Sequence, residues 1–241
     1  MLLHGAGMNS AAWLLQTRFL ARVLAGRGLG VVALDMPGHG RSAGPMLGTI
    51  EDMAAWVLDC MIALGLGQAA LVGHSMGALV ALEAAAMRPE AVHGLALLGV
   101  APEMPVHPAL LEAARGNPRR AAQMVNGWGF GRPAHRLAGP GGGVWLAGLG
   151  AAILAAEDAG ALYNDLKACA DYKGGARAAA RVACPAHLIL GARDMMTPAK
   201  RGCVLAEMIS GAQVHRLDCG HMIMASAARS VNELLATHLA L

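Results

Sequence analysis

The sequence predicts an α/β protein in which helices cover both faces of a mostly parallel sheet. Short apolar runs alternate along the chain with segments rich in helix formers, as in proteins whose parallel strands are joined by helices. A Gly-x-Ser-x-Gly pentapeptide at residues 73–77 lies where one such run meets a helical segment. The length of 241 residues suits one domain of this class that carries an insertion.

The first elements follow this alternation. Residues 11–24 predict a helix, which Gly26 ends. The apolar run 30–34 predicts a short buried strand, and residues 50–64 predict a second helix that ends at Gly65.

The pentapeptide is flanked by a predicted strand and a predicted helix. The run 69–72 predicts a buried strand, and the helix formers of residues 78–86 follow the pentapeptide. A serine on so sharp a turn is exposed at the sheet edge, and flanking glycines avoid the clash that side chains would cause. We therefore predict that Ser75 is a nucleophile.

Three further strands complete the predicted sheet. The first is predicted over residues 95–100. The second is predicted over residues 186–190, where the alternation resumes. A helix over 198–209, a strand over 213–217 and a terminal helix over 222–239 follow.

Prolines and short helical pieces interrupt the alternation between residues 101 and 182. We predict a helical lid insertion over 101–182, and a core formed by residues 1–100 and 183–241. The segment 137–156 carries no charge, but its first half is rich in glycine. The helical remainder, from about residue 144, is too short to span a bilayer, so no membrane span is predicted.

The composition excludes several classes of protein. The net charge of +3 is small and the basic residues are scattered, so no nucleic-acid surface is predicted. The five cysteines match no zinc spacing, which favours free thiols in a reducing compartment. No metal or organic cofactor is expected. The chain begins without the basic region of a signal peptide, and we expect a cytoplasmic protein.

Two residues after predicted strands could activate Ser75. A serine hydroxyl needs a base to take its proton, and the base needs a carboxylate to orient it. Asp194 and His221 each follow a strand of the second half, and the carboxyl ends of parallel strands meet at one edge. Glu103, just after another strand, is an alternative acid. Asp218 is too near His221 in sequence to reach round its ring.

These residues resemble the α/β-hydrolase superfamily over nearly the whole chain. The resemblance rests on the pentapeptide and on segments that read HGAG at 4–7, DMPGHGRS at 35–42, GARD at 191–194 and GH at 220–221. It implies the α/β-hydrolase fold, with an eight-stranded, mostly parallel sheet and a helical lid after the sixth strand. The insertion at 101–182 fits that lid.

The resemblance also implies roles for backbone amides and for two further histidines. The amides of Ala6 and Met76 form the oxyanion hole, in which fixed N–H groups stabilise the developing negative charge. The Met76 side chain is expected to help line the pocket. His39 is expected to be structural, and His74 to buttress the turn or line the site.

One departure from the family concerns the start of the chain. Only three residues precede His4, so the first two strands of the family and most of the third are absent. We expect an uncovered sheet edge and an Ala6 loop that lacks its supporting strand. We hypothesise that the full protein begins upstream, which an in-frame stop codon directly before Met1 would contradict.

The predicted activity is hydrolysis of a carboxylic ester of a small to medium apolar acyl group, through an acyl-enzyme. Cleavage of enol-lactones or carbon–carbon bonds, and cofactor-free perhydrolysis, are alternatives on the same residues. Apolar side chains of the insertion could form the acyl pocket or merely pack the lid. They are Met104, Leu110, Leu111, Met124, Val125, Trp128, Phe130 and Trp145.

The candidates for substrate binding are His74, Met104, Trp128 and Trp145, and the partner is a small-molecule ester. Three arginines could bind a substrate carboxylate, but a solvated helix face explains them better. They are Arg115, Arg119 and Arg120.

Two rival functions stay open. Residues 5–10 followed by Asp35 could belong to a dinucleotide-binding domain, although the third glycine is missing and Asp35 comes later than the usual ~20 residues. A non-catalytic ligand-binding protein could also use the same fold.

Overall fold

The sheet has six strands in the part of the chain that the structure describes. This computed structural model describes residues 1–130, 146–158 and 160–238. All neighbouring strands pair in parallel, in the order β2-β1-β3-β4-β5-β6. The strands are β1 (Leu2–Leu3), β2 (Ala33–Leu34), β3 (Ala69–His74), β4 (Val92–Leu98), β5 (Ala186–Gly191) and β6 (Gln213–Leu217).

Helices lie on both faces of this sheet and between β4 and β5. Those outside the β4–β5 connection are α1 (Leu14–Ala25), α2 (Ile50–Ala63), α3 (Met76–Met87), α9 (Ala199–Glu207), α10 (Ile223–Ser226) and α11 (Ala228–His238). The insertion helices of the β4–β5 connection are α4 (Pro108–Gly116), α5 (Pro118–Phe130), α6 (Leu146–Ala155), α7 (Ala161–Asp171) and α8 (Gly175–Ala179). No described helix is both long and apolar enough to cross a membrane.

The central strands β3 and β4 are largely apolar on both sides because each side packs against helices. Leu71 and Leu95 belong to one buried cluster with α2 and α3. The next residues along the same strands, Val72 and Ala96, belong to a second cluster with α1, α5 and α11. Strands covered on both faces therefore lack a polar alternation and read as continuous apolar runs.

Most predicted elements agree with the structure, and the differences are at element ends. The strands at 186–190 and 213–217 are confirmed, but the strand predicted to end at residue 100 ends at Leu98. Gly99 adopts φ +61°, which lies outside the range of an extended strand, so the strand ends before it. The predicted first helix begins with a 3₁₀ turn at Ser10–Trp13, and Ala227 interrupts the predicted terminal helix.

The two-residue strand β1 lies inside the sheet. Leu2 and Leu3 are buried and pair with β2 on one side and β3 on the other. The expectation that the Ala6 loop lacks a supporting strand is therefore wrong. Leu2 and Leu3 precede that loop, and their pairing with strands on both sides holds its start in place. The edge strand at this end of the sheet is β2.

Candidate functional site

Ser75 lies on the turn between β3 and α3 in a strained backbone conformation. Its φ of 54° is the one positive value at a non-glycine residue in the described ranges, with ψ −115°. A Cβ at Gly73 would lie 2.1 Å from the Gly77 carbonyl oxygen, and one at Gly77 would lie 2.3 Å from the Leu3 oxygen. Ser75 makes no side-chain capping bond to α3 and lines a cavity. Its hydroxyl is therefore available to a bound molecule.

Asp194 and His221 form a buried pair at the carboxyl edge of the sheet. Asp194 follows β5 and His221 follows β6, and His221 Nδ1 lies 2.7 Å from Asp194 Oδ2. His221 Nδ1–H donates a hydrogen bond to the carboxylate, which favours the tautomer with its lone pair on Nε2. His221 lines the same cavity as Ser75, so the imidazole and the hydroxyl belong to one site.

Backbone amides hold the other oxygen of Asp194. Met196 and Thr197 each donate an N–H to Oδ1 at 2.8 Å. Burial alone would raise the pKa of Asp194, but the facing His221 and these two amides lower it below its ordinary value. Asp194 is therefore an ionised carboxylate that fixes one tautomer of His221.

The two alternative acids lie elsewhere. The Glu103 carboxylate is half-exposed and lies 3.3 Å from Lys173 Nζ. Asp218 is exposed and forms an ion pair with Arg193. Neither lines the cavity of Ser75, and Asp194 is the carboxylate that contacts His221.

His74 both lines the cavity and contacts the backbone of His221. Its Nε2–H donates to the His221 carbonyl at 2.9 Å, and the two ring centroids are 4.8 Å apart. Burial, followed by the neighbouring His221, lowers the pKa of His74 to about 3. The ring is neutral, and its Nδ1 is buried without a hydrogen-bond partner. His74 thus supports the loop that carries His221.

The cavity has a volume of about 490 Å³ and a mostly apolar lining. Of the predicted substrate-binding residues, His74, Met104 and Trp128 line it, and Trp145 lies outside the described residues. Leu110 and Val125 also line it, whereas Leu111, Met124 and Phe130 pack in the apolar cluster of the insertion instead.

Several lining residues were missed from the sequence. They are Met8, Val106, His107, Leu162, Leu166, Met195, Met196 and Met222. Met195 and Met196 follow Asp194 directly, and Met222 follows His221, so their positions in sequence were a usable signal. Leu162 and Leu166 are four positions apart on α7, but no local pattern tells which way that helix faces.

The three arginines considered for a substrate carboxylate do not line the cavity. Arg115, Arg119 and Arg120 are exposed. A solvated helix face accounts for them, so they do not provide a carboxylate site in this structure.

The two residues whose amides are expected to form an oxyanion hole, Ala6 and Met76, lie near Ser75. Ala6 lines the cavity beside Ser75, and Met76 is the first residue of α3. The N–H groups of a first helical turn have no partner within the helix and attract negative charge. The expectation for the Met76 side chain is wrong, because that side chain is fully buried in the core and does not line the cavity.

The Ala6 loop is held on both sides of Ala6. The Gly7 amide donates to Asp165 Oδ2 at 2.8 Å, and the Met8 amide donates to the Gly5 carbonyl at 3.2 Å. Asp165 is fully buried and belongs to α7. An insertion helix therefore fixes the conformation of a loop next to Ser75, which sequence reasoning missed.

His39 is the second partner of Asp165. His39 Nε2 lies 3.0 Å from Asp165 Oδ2, and His39 Nδ1 lies 3.1 Å from the Pro37 carbonyl oxygen. Both partners offer acceptor atoms, so the ring donates to both at once only in its doubly protonated, cationic form. Burial would lower the pKa of His39, but the hydrogen bond and charge of Asp165 raise it above its ordinary value.

The acidic residue of the dinucleotide-binding alternative is already engaged. The carboxylate of Asp35 accepts the Ser10 amide at 2.7 Å and the Arg41 amide at 3.1 Å. It therefore stabilises two loops of its own chain, whereas a ribose-binding acid must face a ligand.

A family comparison agrees with this architecture. The model of the family described as "Alpha/beta hydrolase family" matches residues 1–234, nearly the whole chain.

Relatives of known name extend over most of the chain. A Klebsiella pneumoniae protein, provisionally named as the carbamate hydrolase RutD, is 31% identical over 96% of this chain and 87% of its own length. The pimeloyl-acyl-carrier-protein methyl ester esterase of Methylococcus capsulatus is 31% identical over 90% of this chain and 85% of its own.

The fold recurs in solved structures. The crystal structure of an enol-lactonase from Burkholderia xenovorans LB400 superposes with a TM-score of 0.85. The match covers 98% of this chain and 88% of the enol-lactonase, at 22% identity. At 22% identity, this structural similarity shows the fold alone.

Proposed function

The chain belongs to the alpha/beta hydrolase family, and we propose that it is a serine hydrolase that cleaves carboxylic esters. In this proposal Ser75 is the nucleophile, His221 the base and Asp194 the orienting acid. The observation that carries it is the 2.7 Å contact between His221 and Asp194 at the cavity that the strained Ser75 lines.

The proposed reaction proceeds through an acyl-enzyme. Ser75 Oγ attacks the ester carbonyl while His221 Nε2 accepts the hydroxyl proton. The resulting imidazolium is stabilised by Asp194 and then gives its proton to the leaving alcohol. Water, activated by the same nitrogen, hydrolyses the acyl group from Ser75 and restores the hydroxyl.

The proposed oxyanion hole consists of the Ala6 and Met76 amides. The contact between Gly7 and Asp165 supports this role, because it limits the movement of the loop that carries Ala6. Donors held in advance need no reorganisation when the carbonyl oxygen gains charge, and losing one such donor typically costs about 2.7–4 kcal/mol of barrier.

The lining of the cavity favours an uncharged substrate with an apolar acyl group of small to medium size. None of the described lining residues is Asp, Glu, Lys or Arg. A charged acyl chain would therefore be desolvated without an ionic partner, at a large cost. The relative named as a methyl ester esterase supports ester cleavage.

The insertion is proposed to act as a lid. Its helices supply Leu110, Val125, Trp128, Leu162 and Leu166 to the cavity wall. A cover of this kind excludes water from the acyl group and strengthens the electrostatic interactions around Ser75.

The direct test is hydrolysis of p-nitrophenyl esters of increasing acyl length by the wild type and by Ser75→Ala. We expect the variant to lose nearly all activity, while the exposed Ser210→Ala control keeps it. Equal residual activity in Ser75→Ala would overturn the proposed nucleophile.

A fluorophosphonate probe separates catalysis from mere binding. Labelling of the wild type and not of Ser75→Ala supports an activated serine, whereas a folded wild type that stays unlabelled supports the non-catalytic alternative. Cleavage of an enol-lactone, which is a cyclic ester, without cleavage of the p-nitrophenyl esters would favour the enol-lactonase alternative.

A further inference from the structure

Three histidines from separate elements meet at the opposite end of β5 from Asp194. His187 is the second residue of β5, His215 is in β6, and His238 ends α11. His215 pairs with Ile189, two residues from His187, and residues two apart on a strand face the same side. Both strand histidines therefore lie on one face of the sheet, where His238 joins them.

The ligand atoms of the three rings are close enough to share an ion. In the described part of the chain they form the one group of three or more His, Cys, Asp or Glu side chains with this property, with one nitrogen from each ring within 4.8 Å of the others. His187 Nδ1 and His215 Nε2 are 3.1 Å apart. Nitrogens bound to one tetrahedral Zn²⁺ at 2.0–2.1 Å are separated by roughly 3.3 Å. The wider separations within the group, up to 4.8 Å, would have to shorten by rotation of side-chain torsions when an ion binds.

The packing of the rings leaves space for little else between them. The centroids of His187 and His238 are 4.2 Å apart, and each lies 5.4 Å from the centroid of His215. His187 is buried, and the other two are half-buried. A small ion could bind at the open side of this group.

The chemistry of the group suits a metal cation. Neutral imidazole is the form that binds metals, and three such ligands with one water are a common arrangement for zinc. Among themselves, the three rings make only one hydrogen bond, between His187 and His215.

The group is open to solvent on one side. His215 also lines a surface cleft whose other residues include Ser230, Glu233 and Thr237. The cleft provides an entry path for an ion and room for a water as fourth ligand.

We propose that His187, His215 and His238 form a binding site for a divalent transition-metal ion such as Zn²⁺. The bound ion would hold the end of α11 against β6, the strand at the sheet edge. None of the three residues lines the cavity of Ser75, so the site is independent of the proposed hydrolase activity.

Equilibrium dialysis of the full chain against Zn²⁺ tests this site. We expect the wild type to bind one equivalent more than a His187→Gln/His215→Gln/His238→Gln variant, and to lose it to a chelator. All five cysteines are present in both proteins, so the difference reports the imidazoles. Equal binding by the two proteins would overturn the proposal.

A single variant at the chain end covers the case in which the triple variant fails to fold. His238→Gln is expected to weaken the affinity for the additional equivalent of Zn²⁺ by at least about tenfold. It should also remove the rise in thermal unfolding midpoint that Zn²⁺ gives the wild type. His93→Gln, at an exposed histidine of β4, should change neither quantity. Unchanged Zn²⁺ affinity in His238→Gln would contradict the site.

Discussion

His39 and Asp165 form a buried pair, with 3.0 Å between His39 Nε2 and Asp165 Oδ2. The pair joins the loop after β2 to α7, one of the insertion helices. The same carboxylate oxygen accepts the Gly7 amide, so one buried group links the core, the insertion and the loop of the proposed oxyanion hole.

Replacing Asp165 by Asn is expected to lower the free energy of unfolding by about 1–3 kcal/mol. The amide keeps the shape but removes the charge that favours a protonated His39. Both carboxylate oxygens accept hydrogen bonds, and the NH₂ group that replaces one of them cannot. Urea unfolding of both proteins measures the loss. Asp171→Asn in the same helix is the control. Its partner Lys167 is exposed, and such pairs contribute little. Equal losses in the two variants would contradict a special role for Asp165.

The stability that His39 contributes is expected to fall as pH rises. Its pKa in the folded protein is above the ordinary value near 6.5, so the folded state holds the proton more tightly than the unfolded state. The contribution is complete below about pH 6.5 and is lost as pH rises through the folded-state pKa. The difference in unfolding free energy between wild type and His39→Gln should shrink over that range. A difference that grows with pH would exclude a protonated His39.

Replacing Asp194 by Asn is expected to reduce kcat on p-nitrophenyl esters by about 10⁴-fold while the fold is retained. The neutral amide no longer fixes the tautomer of His221 or stabilises its protonated form. Glu103→Gln is the matched control, because the Glu103 side chain faces Lys173. A comparable loss of kcat in Glu103→Gln would show that the wrong acid has been assigned.

Replacing Gly73 by Ala is expected to destabilise the protein by about 3 kcal/mol or more. The new Cβ would overlap the Gly77 backbone, which cannot move without displacing α3. Gly116→Ala, at the end of α4, meets no atom within 4 Å and should raise stability by up to about 1 kcal/mol. Thermal unfolding of both variants measures the contrast, and a well-tolerated Gly73→Ala would contradict the tight turn.

Shortening Trp128 is expected to change which acyl chains are accepted. Trp128 lines the cavity from α5, and its removal adds room for additional methylene groups. Trp128→Ala should shift the optimum of kcat/KM toward longer p-nitrophenyl esters, and Trp128→Phe should shift it less. An unchanged preference in both variants would indicate that the acyl chain binds elsewhere in the cavity.

The parts of the site that sequence could predict are those with local or topological signals. The glycines around Ser75 are required by the turn itself. Asp194 and His221 could be predicted because parallel strands bring their carboxyl ends to one edge. Two-residue strands such as Leu2–Leu3 are too short for any periodic pattern, so their pairing was not predictable.

Contacts between distant segments account for the rest. His39 and Asp165 are 126 positions apart, and nothing local to either indicates the other. The same holds for His187, His215 and His238, which come from two strands and a helix end. Their meeting depends on helix packing, which a single sequence does not specify.

In the proposed mechanism, catalysis and thermal stability place opposite demands on position 75. A non-glycine residue in its backbone conformation costs of order 1–3 kcal/mol, which glycine would avoid. Laboratory evolution at position 75 that selects on heat resistance alone should therefore converge on glycine and discard the hydroxyl. Screens for robust variants of this protein need an activity requirement to retain Ser75.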